Sequence, residues 1–306
     1  MSEVNSHISA PRGQGASQAS NRPGRALPLL TVILAMLGTT VFLYPQAAQW
    51  FNQVRQAKIV DAYAHVLQHT DPPASEQITQ ARRYNSLLET GSIVDIAGHV
   101  PTVREAAILP EDAGVKPYTE QLQADTTGLM GRITMPVADI DLPIYHGTSD
   151  ATLLRGAGHL QGTALPVGGS GTRTVITAHR GLATATMFTH LDRVENGAEF
   201  TLEIFGEALV YRVFDVRVVD PDDTEAVRAI EGKDLATLIT CTPLGVNTQR
   251  IVVTGERVLP TPQDALDSLG EASELPRFPW WIVIWLAMFA ASLAFYFYVR
   301  SKQRSR

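Results

Sequence analysis

The residue with the most evident chemical potential is the only cysteine of the chain, Cys241, at the end of the apolar run "TLITC". A cysteine attacks as its thiolate, and an ordinary thiol pKa of ~8.5 leaves only a few per cent ionised at neutral pH. A catalytic role for this thiol therefore needs an acid–base partner and a cationic or dipolar setting.

Partners of both kinds occur near runs typical of β-strands. His179 in "VITAHRG" lies where an apolar run ends before a glycine, which predicts an imidazole at a strand end beside a loop. Arg250 opens the strand-like run that follows the cysteine. If these two runs form a hairpin with a loop between Thr242 and Gln249, Arg250 lies close to Cys241. A guanidinium there can bind an oxyanion or position a substrate carbonyl.

These residue types alone leave other interpretations open. Cysteine is among the most buried residue types, so Cys241 can also be an inert part of a core. Two functional classes remain open for such residues. One is a cysteine peptidase, which hydrolyses its acyl-enzyme, and the other is a non-enzymatic membrane-anchored scaffold. Thiol reactivity in the folded protein separates them, because a core cysteine should resist alkylation.

The runs around these residues predict a mainly β fold. Helical periodicity covers residues 45–69 and 76–88, and the stretch 89–123 has scattered glycine and proline without clear periodicity. From Met130 the sequence shows short β-branched or aromatic runs separated by turn signals. They are "GRITMP", "IDLPIYHG", "TRTVITAHRG", "AEFTLEIFG", "ALVYRVFDVRVVD", "LATLITCT" and "QRIVVTGERV". Seven or eight strands over about 130 residues indicate a closed barrel or a sandwich.

Two charge-free segments, Ala26 to Tyr44 and Phe278 to Val299, are long enough to cross a hydrocarbon core as helices. Arginines precede the first span, and arginine and lysine follow the second, so the positive-inside rule predicts that both termini are cytoplasmic. The alternative for the first span is a cleaved signal peptide, although its apolar stretch is longer than a usual signal core. The segment between the spans is then extracytoplasmic.

Composition excludes one large class of partner. The formal net charge is -6, and the region between the spans contains no basic run of the kind that nucleic acid binding requires. His65 and His69 have metal-ligand spacing, but no third ligand or HExxH pattern accompanies them, and the glycine-rich "GGSGTR" lacks the GK[ST] of a phosphate-binding loop. The sequence therefore predicts no metal and no cofactor.

Several collinear motifs resemble one family. "TLITC" matches the TLxTC signature of sortases, "AHRG" matches the segment that carries their histidine, and Arg250 falls where they carry their arginine. The stretches "PIYHGTSDATLLRGAGHLQGTALPVGG" and "TAHRGLATATMFTHLD" are similar to class C sortases, the pilus-assembling branch. The resemblance runs from about Met130 to Val258, and it implies a closed sortase-type β-barrel of about eight strands. The two spans and the helical stretch before the barrel also fit class C organisation.

The resemblance implies a role for each matching residue. Cys241 would attack the carbonyl after the threonine of an LPxTG-like sorting signal and form a thioester acyl-enzyme. His179 would protonate the leaving glycine amine and then deprotonate the incoming amine. Arg250 would hold the substrate and stabilise the oxyanion, with support from the Thr240 hydroxyl or nearby backbone amides. His146 and His159 also lie in family-like stretches, but there we expect histidines that are solvated or contact backbone groups.

One departure concerns the segment before the barrel. Class C sortases usually cover the active site with a lid anchored by an Asp-Pro-aromatic motif, and no such tripeptide occurs between Glu89 and Gln123. Asp112, Pro117 and Tyr118 are only loose substitutes. We therefore expect a lid that is shortened, anchored differently or absent, with the stretch from Ile93 to Gln121 loosely docked.

Together these observations predict a membrane-tethered sortase that acts on pilins or surface proteins bearing LPxTG-like signals. Its acceptor would be a pilin lysine amine; the alternative is a general sortase that anchors surface proteins to a cell-wall precursor. The expected N-terminal segments are a disordered cytoplasmic tail (1–25), a transmembrane helix (26–44) and an extracytoplasmic helical and lid-like segment (45–125). The catalytic barrel (126–260) follows. After it we expect a linker (261–277), a second transmembrane helix (278–299) and a basic cytoplasmic tail (300–306).

Overall fold

The computed structural model describes residues 26–88, 94–95, 102–103 and 115–304. The described residues fall into two compact units. One contains the chain up to Leu43 and from Ile282 onwards, and the other is Tyr44–Trp281. Most of the expected lid, residues 89–93, 96–101 and 104–114, lies outside the described residues, as does the N-terminal tail.

Two helices are long and apolar enough to cross a membrane: α1 (Ala26–Leu67) and α5 (Trp280–Arg304). We expected α1 as two helices, a span ending at Tyr44 and a second helix from Pro45. It is instead continuous, with Pro45 inside it. A proline removes one intrahelical hydrogen bond, and the flanking helix-forming residues on both sides continue past that loss. A shorter helix, α2 (Ala74–Leu87), follows close to the predicted range of 76–88.

Ten strands are described. The first two, β1 (Val94–Asp95) and β2 (Thr102–Val103), form a separate antiparallel pair. The other eight are β3 (Leu129–Met135), β4 (Ile140–His146), β5 (Ala157–His159), β6 (Thr172–Thr177), β7 (Glu199–Ile204), β8 (Glu207–Val219), β9 (Asp234–Thr242) and β10 (Gln249–Arg257). They close into one barrel in the order β10-β8-β7-β3-β4-β5-β6-β9. This confirms the predicted mainly β fold with a closed barrel of about eight strands.

Strand β9 is buried along most of its length, because apolar side chains pack against both of its faces. Leu238 belongs to the main core, which fills the barrel, whereas its neighbour Ile239 belongs to a second, smaller cluster. Successive side chains of a strand point to opposite faces. The smaller cluster, which also contains Val252 and Val219, therefore marks the face that Cys241 shares with Ile239.

The segment after the barrel packs on the barrel, although the sequence predicted only a linker there. It contains a short helix, α4 (Gln263–Asp267). Beyond α4, the Arg132 guanidinium donates to the Glu271 carbonyl at 2.7 Å, and the Ser273 hydroxyl donates to the Asp141 carboxylate at 2.6 Å. Since Arg132 and Asp141 also form a largely buried ion pair, these contacts fix the segment against strands β3 and β4.

Candidate active site

The predicted hairpin exists, and its register pairs the cysteine with the arginine. Strands β9 and β10 are antiparallel, with Cys241 directly opposite Arg250 and Thr242 opposite Gln249. The two side chains therefore lie next to each other on the same face of the barrel.

His179 lies near Cys241 on the segment that pairs with the opposite edge of β9 from β10. Strand β6 runs parallel to β9, with Thr177 opposite Ile239, and the Ala178 amide extends the pairing by donating to the Ile239 carbonyl at 3.3 Å. Two residues past Thr177, this register places His179 beside Cys241. Three neighbouring segments of the barrel wall thus present the histidine, the cysteine and the arginine in one row.

The Thr240 hydroxyl makes a different contact from the one expected. It lies on the opposite face of β9 from Cys241 and donates to the Ala178 carbonyl at 2.8 Å. Its proton is therefore already used in a buried hydrogen bond that ties β9 to the residue before His179. In this structure Thr240 ties β9 to the segment that carries His179, and its side chain points away from the face that carries Cys241.

Burial shifts the two reactive groups in opposite directions. It raises the pKa of the half-buried Cys241 thiol, while the positive charge of Arg250 lowers it to a smaller extent. Burial also lowers the pKa of His179, and the carboxylate of Asp150 opposes that shift. Because burial disfavours both charged forms, the resting pair is mainly a neutral thiol beside a neutral imidazole.

The guanidinium of Arg250 is buried and held by the loop between β9 and β10. Its Nη1 donates to the carbonyls of Asn247 and Gln249, at 3.0 and 2.9 Å. Asn247 has a φ of 60°, in the left-handed region that asparagine tolerates better than most residues. The loop thus folds around the arginine and fixes its charge next to the thiol.

The two other family-like histidines lie in a buried cluster with Tyr118. The His146 nitrogens lie 3.0 Å from the Gly128 carbonyl and 2.7 Å from the Gln121 carbonyl, which fits the expected contacts with backbone groups. His159 is completely buried rather than solvated. The Tyr118 hydroxyl lies 2.9 Å from its Nδ1, and its Nε2 lies 2.9 Å from the Ala164 carbonyl.

This cluster also shows where the end of the pre-barrel segment goes. Tyr118 is buried, and its hydroxyl accepts a hydrogen bond from the Gly147 amide at 3.0 Å. Of the three loose substitutes for the lid anchor, Tyr118 therefore packs against the ends of strands β4 and β5. Pro117 precedes it, and Asp112 lies outside the described residues.

Sequence reasoning missed two residues near the site. Asp150 is the first residue of a short helix, α3 (Asp150–Leu153), far from His179 in sequence, so no local pattern indicates that its charge acts on the imidazole. Arg180 follows the histidine directly, and its side chain contacts Thr242, the residue after the cysteine. A plain arginine in a loop gives no sequence signal for such a contact.

Known proteins of one family resemble this chain in sequence and in fold. A family model described as a sortase domain matches residues 133–258. The chain is similar to the solved sortase C-1 of Actinomyces oris, with 43% identity over 60% of this chain and 98% of that one, at a TM-score of 0.53. It is also similar to sortase C of Streptococcus pneumoniae, with 35% identity over 66% of this chain and 96% of that one, at a TM-score of 0.55.

A curated relative gives the same result. Sortase D of Bacillus subtilis (strain 168) is 27% identical over 170 residues, which cover 51% of this chain and 83% of the relative. The matched domain spans seven of the eight barrel strands completely and includes His179, Cys241 and Arg250. The chain belongs to the sortase family of cysteine transpeptidases.

Proposed function

We propose that this protein is a membrane-anchored class C sortase that polymerises pilins. It cleaves an LPxTG-like signal between threonine and glycine and joins the acyl group to a lysine amine of another pilin. The observation that carries the proposal is the row of His179, Cys241 and Arg250 on adjacent segments of the barrel. The similarity to solved sortases C, one of which is described for its pilin substrate specificity, supports the choice of class.

In the first half-reaction, the Cys241 thiolate attacks the threonine carbonyl, and the oxygen becomes an oxyanion facing the Arg250 guanidinium. The carbon–nitrogen bond to glycine then breaks. The His179 imidazolium gives its proton to the leaving amine, and a thioester remains on the sulfur.

In the second half-reaction, the neutral His179 takes a proton from the incoming amine as that amine attacks the thioester. The carbon–sulfur bond breaks, an amide forms, and the thiolate and imidazolium are restored. Asp150 stabilises the imidazolium in each state, because its charge raises the pKa of His179.

The test uses the full chain in detergent micelles with an LPxTG peptide and an amine acceptor. Cys241→Ala should abolish the thioester adduct seen by mass spectrometry, while circular dichroism stays that of the wild type, because little volume is lost at the strand end. His179→Ala and Arg250→Ala should each reduce kcat/KM by roughly 100-fold or more. Full turnover by Cys241→Ala would disprove the assignment.

The second candidate function is general anchoring of surface proteins to a cell-wall precursor. It uses the same thioester and differs only in the amine that accepts the acyl group. The presence of a second apolar helix, α5, favours pilin polymerisation, because a doubly tethered enzyme keeps successive membrane-bound pilins at high effective concentration.

For the whole chain, we propose that both helices are transmembrane anchors, that both termini are cytoplasmic and that the barrel is extracytoplasmic. Three arginines precede α1, and arginine and lysine residues are concentrated at the C-terminal end of α5. The positive-inside rule therefore places both of these ends on the cytoplasmic side.

A further inference from the structure

We propose that Arg180 is a positioning residue that couples the loop carrying His179 to the strand end carrying Cys241. The inference rests on the proposed function, since it concerns how the two reacting groups are aligned. Arg180 does not need to touch the substrate to have this effect.

Arg180 lies between the two segments with its side chain almost fully enclosed, at 7% exposure. Its Nη1 donates to the Thr242 hydroxyl at 2.9 Å, across the gap between the histidine loop and the end of β9. Each residue of this hydrogen bond directly follows a reactive residue in the sequence: Arg180 follows His179, and Thr242 follows Cys241.

The other two nitrogens of Arg180 hold it to its own loop. Nη2 forms an ion pair with the Asp192 carboxylate at 2.8 Å, and Nε donates to the Thr189 carbonyl at 3.2 Å. The three acceptors lie in different directions around one planar guanidinium. Arginine fixes such an arrangement through its rigid fork of donors, whereas a lysine ammonium acts as a single point on a flexible stem.

The backbone of the same loop is folded to match. The His179 carbonyl accepts from the Phe188 amide at 3.0 Å, and the Gly181 amide donates to the Thr189 hydroxyl at 3.2 Å. The loop is therefore closed on itself immediately after the histidine.

A second contact joins the two segments. Gly181 has a φ of +76°, and a Cβ built at this position would lie 2.5 Å from Leu244 Cδ2. The histidine loop thus packs directly on the loop that follows Cys241, and Arg180 supplies the polar link beside this apolar contact. Loss of the link should let the imidazole move relative to the sulfur while the barrel stays folded.

Misplacement of an acid–base group by about 1 Å can lower a rate by roughly 100-fold. The effect should fall on kcat, because His179 acts in the chemical steps, whereas KM should change little. The imidazole displacement should also change the acidic limb of the pH–rate profile, which a purely structural role would leave in place.

The experiment compares Arg180→Met, Arg180→Lys, Thr242→Val and the double variant Arg180→Met/Thr242→Val, as full chains in detergent micelles with a quenched fluorescent LPETG peptide. Arg193→Met is the matched control. Arg193 lies in the same loop region, is 57% exposed at its side chain and pairs with Asp139 at 3.7 Å, so its loss should leave kcat within twofold of the wild type.

We expect Arg180→Met to lower kcat by about 10- to 100-fold with KM within about threefold, and Arg180→Lys to restore only part of the rate. Thr242→Val should lower kcat several-fold. Because both variants remove the same hydrogen bond, the double variant should be no worse than Arg180→Met alone by more than about twofold.

Two results would overturn the proposal: wild-type kcat in Arg180→Met, or losses in the two single variants that multiply in the double variant. If Arg180→Met does not fold, Thr242→Val decides the matter, since it removes only the acceptor hydroxyl. Failure of the proposed function is a separate result, recognised by full turnover in Cys241→Ala or no turnover in the wild type.

Discussion

At the scale of single residues, the opposite shifts of Cys241 and His179 determine how the enzyme should depend on pH. In the proposed reaction, attack needs the Cys241 thiolate, and expulsion of the glycine amine needs the His179 imidazolium. Because burial raises the pKa of the thiol and lowers that of the imidazole, only a small fraction of molecules holds both charged forms at once.

The first prediction is a broad pH–rate plateau bounded by these two groups. Below the lowered pKa of His179 the rate should rise with pH, because thiolate forms while the imidazole stays protonated. Above the raised pKa of Cys241 it should fall, because the thiol is already ionised and the imidazolium continues to disappear. Steady-state kcat/KM of the full chain between pH 5 and 11 measures both limbs.

The second prediction separates the thiol from the imidazole. The rate of iodoacetamide alkylation should follow the Cys241 thiolate and titrate above the ordinary range of a free thiol, because burial raises the pKa of Cys241. In Arg250→Gln the titration should move further up, because the positive charge that lowers the thiol pKa is gone, whereas Arg250→Lys should keep part of the effect. A titration below that of a free cysteine in the wild type would contradict the raised pKa of the thiol.

The third prediction concerns stability and the buried His159. Burial lowers its pKa to about 4, so between about 4 and 6.5 the unfolded chain binds a proton that the folded chain does not. The free energy of unfolding should therefore decrease as pH falls through this range, by at most roughly 3 kcal/mol from this residue. Tyr118 and His146 face the same cluster, and burial lowers the pKa of His146 as well, which acts in the same direction.

Denaturant unfolding of the full chain at several values between pH 4 and 7 tests this. His159→Gln should flatten the dependence, while His69→Gln, an exposed histidine at the end of the helical region, should leave it unchanged. An unfolding free energy that stays constant down to pH 4 in the wild type would show that His159 is protonated in the folded state.

At the scale of elements, the sequence predicted most strands of the barrel because β-branched and aromatic residues are concentrated in them. Strand β5 was missed, since its three residues Ala157, Gly158 and His159 carry no strand signal; only its pairing with β4 and β6 makes it a strand. The reverse case is α1, where Pro45 predicts a helix boundary but the structure has none.

The candidate site divides in the same way. The pairing of Cys241 with Arg250 could be predicted, because the two strands form a hairpin and a hairpin depends on local turn signals. His179 could be predicted from the family motifs. The hydrogen bond from Thr240 to Ala178 and that from Arg180 to Thr242 both cross from β9 to a segment more than 60 residues away in sequence. Such contacts are set by the parallel register of β6 and β9, which no local pattern specifies.

The fourth prediction concerns the irregular start of β3. The register between β3 and β4 shifts between Leu129 and Gly131, and a Cβ at Gly131 would lie 2.5 Å from the Glu203 carbonyl oxygen of the neighbouring strand β7. Gly131→Ala should therefore destabilise the barrel by about 1–3 kcal/mol, because the backbone must move. Thermal unfolding measures the loss, and Val137→Ala, at a half-exposed position after the same strand, should cost much less.

At the scale of the whole molecule, the proposed topology makes labelling with a membrane-impermeant maleimide informative. In a Cys241→Ala background, a cysteine at Ser2 or Ser305 should be protected in intact cells. A cysteine at Asp222, exposed in the acidic loop after β8, should react. Reaction at both ends with protection at Asp222 would reverse the orientation, and reaction at Ser2 alone would show that the first helix does not span.

The last prediction concerns the acyl acceptor, which distinguishes a polymerase from a general anchoring enzyme. Both enzymes form the Cys241 thioester, so only the second nucleophile differs. A pilin lysine is protonated at neutral pH, so it must first release one proton to solvent; His179, neutral once it has given its own proton to the glycine amine, then takes the second proton as the amine attacks. An enzyme held by two spans near membrane-bound pilins favours this acceptor through effective concentration.

Deleting the gene should therefore remove the ladder of covalent high-mass pilin polymers from cell-wall extracts, while unrelated LPxTG proteins stay attached to the wall. A matched strain that carries Cys241→Ala should give the same result as the deletion. If the ladder persists and those surface proteins are released into the medium, the enzyme is a general anchoring sortase.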